Sequence, residues 1–175
     1  MSDVSNSSSQ VDASKQAHQG DEEILQLVSF VVGSEEFAVP ILSVHEINRM
    51  MEITRVPQSP EFVEGVINLR GRIIPVVNLR RRFGKEDIET SADTRIVVVE
   101  VAERVIGFTV DRVNEVLRIQ REIVEDAPAM ASAIDSAYVQ GVGKLDDRLL
   151  ILLDLDNLFG AGILEAADDA AAQAA

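Results

Sequence analysis

Apolar residues in the central part of this chain fall in short runs of Val, Ile and Leu, each broken by turn-forming residues, and no long stretch carries them at helical spacing. That pattern predicts an all-β core of many short strands. Leu25, Leu27, Ser29 and Val31 alternate with Gln26, Val28, Phe30 and Val32, a strand apolar on nearly both faces and suited to the middle of a packed barrel. Gly33 to Glu35 turns it back, and the return strand from Glu36 ends near Pro40, which lacks a ladder donor. Ser43 to Asn48 reads as a brief helical turn, Arg55 to Pro60 as an irregular connection restricted by its prolines, and Glu61 to Glu64 as one more helical turn. Arg95 to Val101 and Val105 to Val110 form a hairpin over Ala102 to Arg104, extended by Asp111 to Ile119. Arg121 to Ala137 is a loose, acidic connection and the expected site of greatest mobility.

One unit of this pattern occurs twice. Gly65 to Gly84 and Gly141 to Gly160 align without a gap, 76 residues apart, and seven of the twenty positions are identical. Each copy reads as a strand, a turn, a second strand and a short helical turn. In the first copy Arg70-Gly71 makes the tight turn, with Gly71 free to take positive φ, and Pro75 predicts that the returning strand is an edge or carries a bulge. Asn78 and Asp154 stand where a helix N-cap accepts backbone N–H bonds. Leu79 with Phe83, and Leu155 with Phe159, are four apart, so each short helix can plug a barrel end. Gly84 and Gly160 fall where a left-handed C-terminal residue is wanted.

Charge separates the twins. The first copy carries Arg70, Arg72, Arg80, Arg81 and Arg82 with no acid, whereas the second carries Asp146, Asp147, Asp154 and Asp156 against Lys144 and Arg148. Of the formal charge of −14 over 175 residues, four net negatives lie in residues 1–23 and three in residues 161–175. Both ends are read as polar or Ala-rich tails unable to bury enough surface to order themselves, the second at most a frayed helix, which leaves 24–160 as the domain. The acidic balance opposes nucleic acid and anionic lipid as partners. No apolar run reaches the roughly 18 residues of a membrane span, and the first residues carry no secretion signal, so a cytoplasmic protein without direct membrane insertion is expected.

Catalytic and metal chemistry find little support. There is no cysteine, and His18 and His45 are too few for a usual zinc or catalytic cluster. Asp154, Asp156 and Asn157 lack the glycine and terminal glutamate of a calcium loop, and Gly141-Val-Gly-Lys144 is followed by Leu145 where a phosphate loop needs Ser or Thr. No nucleophile elbow and no spaced carboxylate pair appears. The reading is a protein with no metal, no cofactor and no enzymatic activity. A small barrel that binds a ligand or a nucleic acid is the alternative, opposed by the charge and by one Tyr and no Trp for base stacking.

LVSFVVGSEEFAVPI, Val44-His45-Glu46-Ile47, Thr54-Arg55-Val56-Pro57, Gly65-Val66-Ile67-Asn68-Leu69-Arg70-Gly71, Gly107 with Val110-Asp111, and Asp147-Arg148 together resemble the CheW family of bacterial chemotaxis coupling proteins. The resemblance covers nearly all of 24–160. It implies two small five-stranded SH3-like β-barrel subdomains around a shared hydrophobic core, with a few short helices. It also implies a non-catalytic adaptor, recruited to membrane-associated receptor arrays, that couples the cytoplasmic tip of methyl-accepting chemoreceptors to the regulatory domain of the histidine kinase CheA. The receptor tip is expected along the groove between subdomains, at Val44, Glu46, Arg70, Val113 and Val116. The kinase is expected at subdomain ends, with Arg80, Arg81, Arg82, Asp146 and Asp147 as candidates, while Gly65, Asn68 and Gly71 shape the turn. If unlike ends meet, this chain and the kinase domain would alternate in rings or pairs. Solvation of at least two of Arg80 to Arg82 is the plainer reading of those cations.

Overall fold

The computed structural model describes residues 23–126 and 136–174. Eleven strands are formed among them: β1 (Ile24–Val32), β2 (Glu35–Pro40), β3 (Val44–Arg49), β4 (Val63–Leu69), β5 (Arg72–Asn78), β6 (Arg95–Val101), β7 (Arg104–Val110), β8 (Arg112–Gln120), β9 (Val124–Glu125), β10 (Val139–Lys144) and β11 (Leu149–Leu153). Three α-helices follow the same order: α1 (Leu79–Arg82), α2 (Leu155–Leu158) and α3 (Ala161–Ala174). None of the described helices is long and apolar enough to cross a membrane.

The strands make two sheets, ordered β3-β6-β7-β5-β4 and β8-β1-β2-β11-β10-β9. The orders are equivalent position by position. In each, a hairpin pairs in parallel with the second strand of a repeat, β5 with β7 and β11 with β2. The bridge from Thr54 to Val66 on β4 stands where β9 stands on β10. The opening hairpin β1–β2 therefore completes the second sheet, whose other strands begin only at Arg112, while β6–β7 completes the first. The duplication is larger than the twenty-residue repeat and is permuted along the chain.

Three apolar clusters follow from this arrangement. Ile67, Ile74, Val76, Ile96 and Val98 fill the first barrel, and Leu27, Ala38, Ile119, Leu150 and Leu152 fill the second. The largest cluster lies between them, with Phe30, Phe37, Phe108 and Phe159 in ring contacts of 5.4–6.0 Å among themselves. The two barrels and shared core expected from the sequence are thus present. Asn78 and Asp154 cap α1 and α2 as expected, each accepting from the N–H three residues on.

Several expectations are corrected. The helical turn placed at Ser43 to Asn48 is a single 3-10 turn over Ile41–Ser43, and Val44 already begins β3, where half-buried and exposed residues alternate with period two. Strand β4 starts at Val63, so Glu61 to Glu64 is not a helical turn. Pro75 lies on an interior strand, but the ladder to β7 begins one residue later at Val76, and the irregularity lies in β4 between Val63 and Gly65, opposite Val77 and Val76. Gly84 is left-handed at φ 74°, whereas Gly160 instead accepts from the N–H groups of Ile163 and Leu164 and opens α3. Residues 161–174, expected to lack order, form that 14-residue helix. Leu164, Ala167 and Ala170 recur at helical spacing and are buried, and Ala170 packs with Val56, Val63 and Val66 of the first subdomain. The expectation for the N-terminal tail and most of the acidic connection lie outside the described residues.

Candidate functional site

Strands β3 and β8 each end one side of their sheet, and both border the central core through half-buried Val44 and Val113. On β3, Glu46 accepts from Asn48 Nδ2 at 2.8 Å and from Arg70 Nη1 at 2.9 Å. Those two hydrogen bonds, Asn48 first and then Arg70, hold the Glu46 carboxyl below its ordinary value. Arg70 reaches across from the β4–β5 turn, where it and Gly71 adopt φ of 53° and 83°. Two consecutive left-handed residues suit the right-handed twist of a two-residue hairpin, and Asn68 Oδ1 fixes the turn by accepting from the Gly71 N–H at 2.9 Å. A left-handed arginine is strained, and this one keeps its side chain 74% exposed. The turn leaves the guanidinium at the sheet edge, 2.9 Å from Glu46.

The structure brings Glu46 and Arg70 together and sets Val44 beside them on the same strand. Val113 and Val116 lie on β8 in the other subdomain, Val116 with 58% of its surface exposed. Gly65 performs a separate task. A Cβ there would lie 2.3 Å from the Thr54 carbonyl, so glycine lets the Thr54 bridge close on β4 at φ 152°.

Arg80, Arg81 and Arg82 are not a wet face. Arg80 forms a fork on Asp111, with Nε and Nη2 at 3.0 and 2.7 Å from its two oxygens. Arg81 pairs with Asp87 at 2.9 Å and donates to the Glu61 carbonyl. Arg82 donates to the Leu158 carbonyl at 3.2 Å and lies 4.5 Å from the centroid of the Tyr138 ring. Asp146 and Asp147, by contrast, are exposed on the β10–β11 turn.

A second edge site escaped the sequence reading. Glu46 pairs in register with Val98, and Glu115 on β8 with Ser29; both chains of pairing run on to the matched repeat positions Val76 and Leu152. Glu115 is therefore the counterpart of Glu46. It too meets a hairpin arginine, Arg148 Nη2 at 2.5 Å, and the same guanidinium lies 2.8 Å from Glu36. These residues, with Val142, Leu149 and Ile151, line an open cleft of about 830 Å³. The acid and the arginine are 33 residues apart, and only the strand register reveals the match to Glu46 and Arg70.

Comparison with known proteins places these features in context. Residues 26–162 match the CheW-like domain. Chemotaxis protein CheW of Helicobacter pylori is 38% identical over 150 residues, covering 85% of this chain and 90% of that protein. The probable chemotaxis protein CheW of Rhizobium etli is 36% identical, with 89% of this chain and 98% of that protein covered. The crystal structure of scaffolding protein TtCheW from Thermoanaerobacter tengcongensis superposes with a TM-score of 0.74 at 39% identity, over 81% of this chain and 91% of that one.

Proposed function

Since the chain belongs to the CheW-like domain family and is a chemotaxis scaffold, we propose that it couples the cytoplasmic tip of chemoreceptors to the regulatory domain of the histidine kinase CheA. The receptor contact runs along β3 and β8, with Arg70 and Glu46 supplying polar recognition and Val44, Val113 and Val116 the apolar surface. The observation that carries this reading is the strained, solvent-facing Arg70 held against Glu46 at 2.9 Å. A surface pair of this kind adds little to stability, so its geometry is better explained by what it presents to a partner.

The kinase domain meets the subdomain ends. Asp146 and Asp147 are exposed there. Arg80, Arg81 and Arg82 are pinned by internal bonds, which makes them poor candidates for a free electrostatic contact. The protein acts in the cytoplasm, recruited to receptor arrays, and works by holding surfaces together without transforming a substrate. Titration of a receptor cytoplasmic fragment into the protein tests the receptor contact. Arg70→Glu places like charges at Glu46 and is expected to weaken binding at least about tenfold; binding as tight as that of the unmodified chain refutes the assignment.

A further inference from the structure

The arginines of α1 reach outside their own barrel at two separate points. At the first, Arg80 grips Asp111, the residue between β7 and β8 where the chain passes from one sheet to the other. Asp111 Oδ2 also accepts from the Gly33 N–H at 2.7 Å, and its own N–H donates to Val31 at 2.9 Å, so the fork is tied to the β1–β2 turn of the second subdomain. Lys85 reaches Glu35, the first residue of β2, at 3.2 Å. At the second point, Arg82 donates to Leu158 and covers the Tyr138 ring, both in the second subdomain. Arg82 and Leu158 are matched positions of the repeat, 76 residues apart, so the two copies meet at equivalent sites.

Burial distinguishes these contacts from ordinary surface pairs. Arg80 and Asp111 are 17% and 20% exposed, and two parallel hydrogen bonds fix the guanidinium in one orientation. The apolar core between the barrels is non-directional and permits small shifts of one barrel on the other. A bidentate fork and a directed bond to a carbonyl do not.

We propose that Arg80, Arg82 and Asp111 form a clasp that fixes the angle between the two barrels and so sets the groove in which the receptor tip lies. The inference rests on the receptor contact proposed above. Val44, Glu46 and Arg70 belong to the first barrel and Val113 and Val116 to the second, so a partner touching both binds only when the barrels hold one relative position. Where a loosened clasp leaves that position populated about a tenth of the time, apparent affinity falls about tenfold.

The chain contains no cysteine, which allows spin labels to be placed at Arg49→Cys on β3 and Arg118→Cys on β8, both exposed edge-strand positions. Distances between them are measured by electron paramagnetic resonance in the parent chain and in the Arg80→Met, Arg82→Met double variant. Binding of a receptor cytoplasmic fragment is measured on the unlabelled proteins. The expected result is a shifted or broadened distance distribution and about tenfold weaker binding, with the circular dichroism spectrum and cooperative unfolding retained. An unchanged distribution overturns the clasp, and a broadened one at unchanged affinity overturns its role in setting the groove. Arg82→Met alone, read in the same way, decides the matter where the double variant does not fold. Arg70→Glu keeps the two claims separate: tight binding by that variant refutes the receptor contact, while the distances judge the clasp independently.

Discussion

The two copies of the repeat share a frame and differ in what surrounds it. Each opens on a glycine at a strand irregularity, turns through a polar hairpin, and closes with an Asn or Asp cap over a four-residue helix. In the first copy the closing phenylalanine, Phe83, is half-buried against Phe37, and the outer face is covered by α3. In the second, Phe159 is fully buried beside Phe108, and the corresponding hairpin borders an open cleft. Charge has diverged in the same sense: Arg80 and Arg82 of the first copy reach the other barrel, while Asp146, Asp147 and Asp156 of the second stay exposed. Duplication supplied a scaffold, and the positions outside its core took on separate tasks.

That asymmetry can be broken most severely at the two phenylalanines. Phe159→Ala is expected to cost about 3–5 kcal/mol and Phe83→Ala about 2 kcal/mol or less, read as shifts of the urea midpoint at constant m. Equal losses would show that the two barrel ends are energetically alike. The opening glycines come next. Gly65→Ala drives a Cβ into the Thr54 backbone at positive φ and is expected to cost about 2–4 kcal/mol. Gly141→Ala meets the Val124 side chain at 2.6 Å and the Glu125 carbonyl at 3.0 Å, but without the positive φ of Gly65, and should cost less. Leu164→Ala removes the largest fully anchored side chain of α3 and is expected to lower stability by about 2 kcal/mol. A null effect there would mean that the helix adds nothing to the central core.

A smaller effect concerns pH. Burial opposes ionisation of Asp111, but hydrogen bonds from Arg80 and from the Gly33 N–H outweigh it and hold the carboxyl below its ordinary value of 3.8. Its folded value is depressed, so its contribution is present above 3.8 and is lost as pH falls through the folded value. Asp111→Asn should therefore be less stable than the parent by about 1–2 kcal/mol at pH 7, with the gap closing below about pH 4. A gap independent of pH would remove ionisation from the clasp.

Much of this was legible in the sequence because it is local. Hairpins, both helix caps and the Arg70-Gly71 turn are written in residues a few positions apart. The twenty-residue repeat was visible because seven identities survive in its frame. The wider duplication was not, because Ile24–Pro40 matches Arg95–Val110 in strand register and hardly in residue identity. The Arg148–Glu36 pairing and the arginine clasp depend on that register, so partners distant in sequence could not be named beforehand. Helix α3 was misjudged because its alanines stabilise a helix only once Val56, Val63 and Val66 offer them a surface.

Reconstitution of the signalling complex tests the central claim most directly. Receptor-containing membranes and CheA are combined with and without this protein, and kinase autophosphorylation is followed. The account predicts receptor-controlled kinase activity only when the protein is present, and a marked loss with Arg70→Glu. Identical activity in its presence and absence would contradict it.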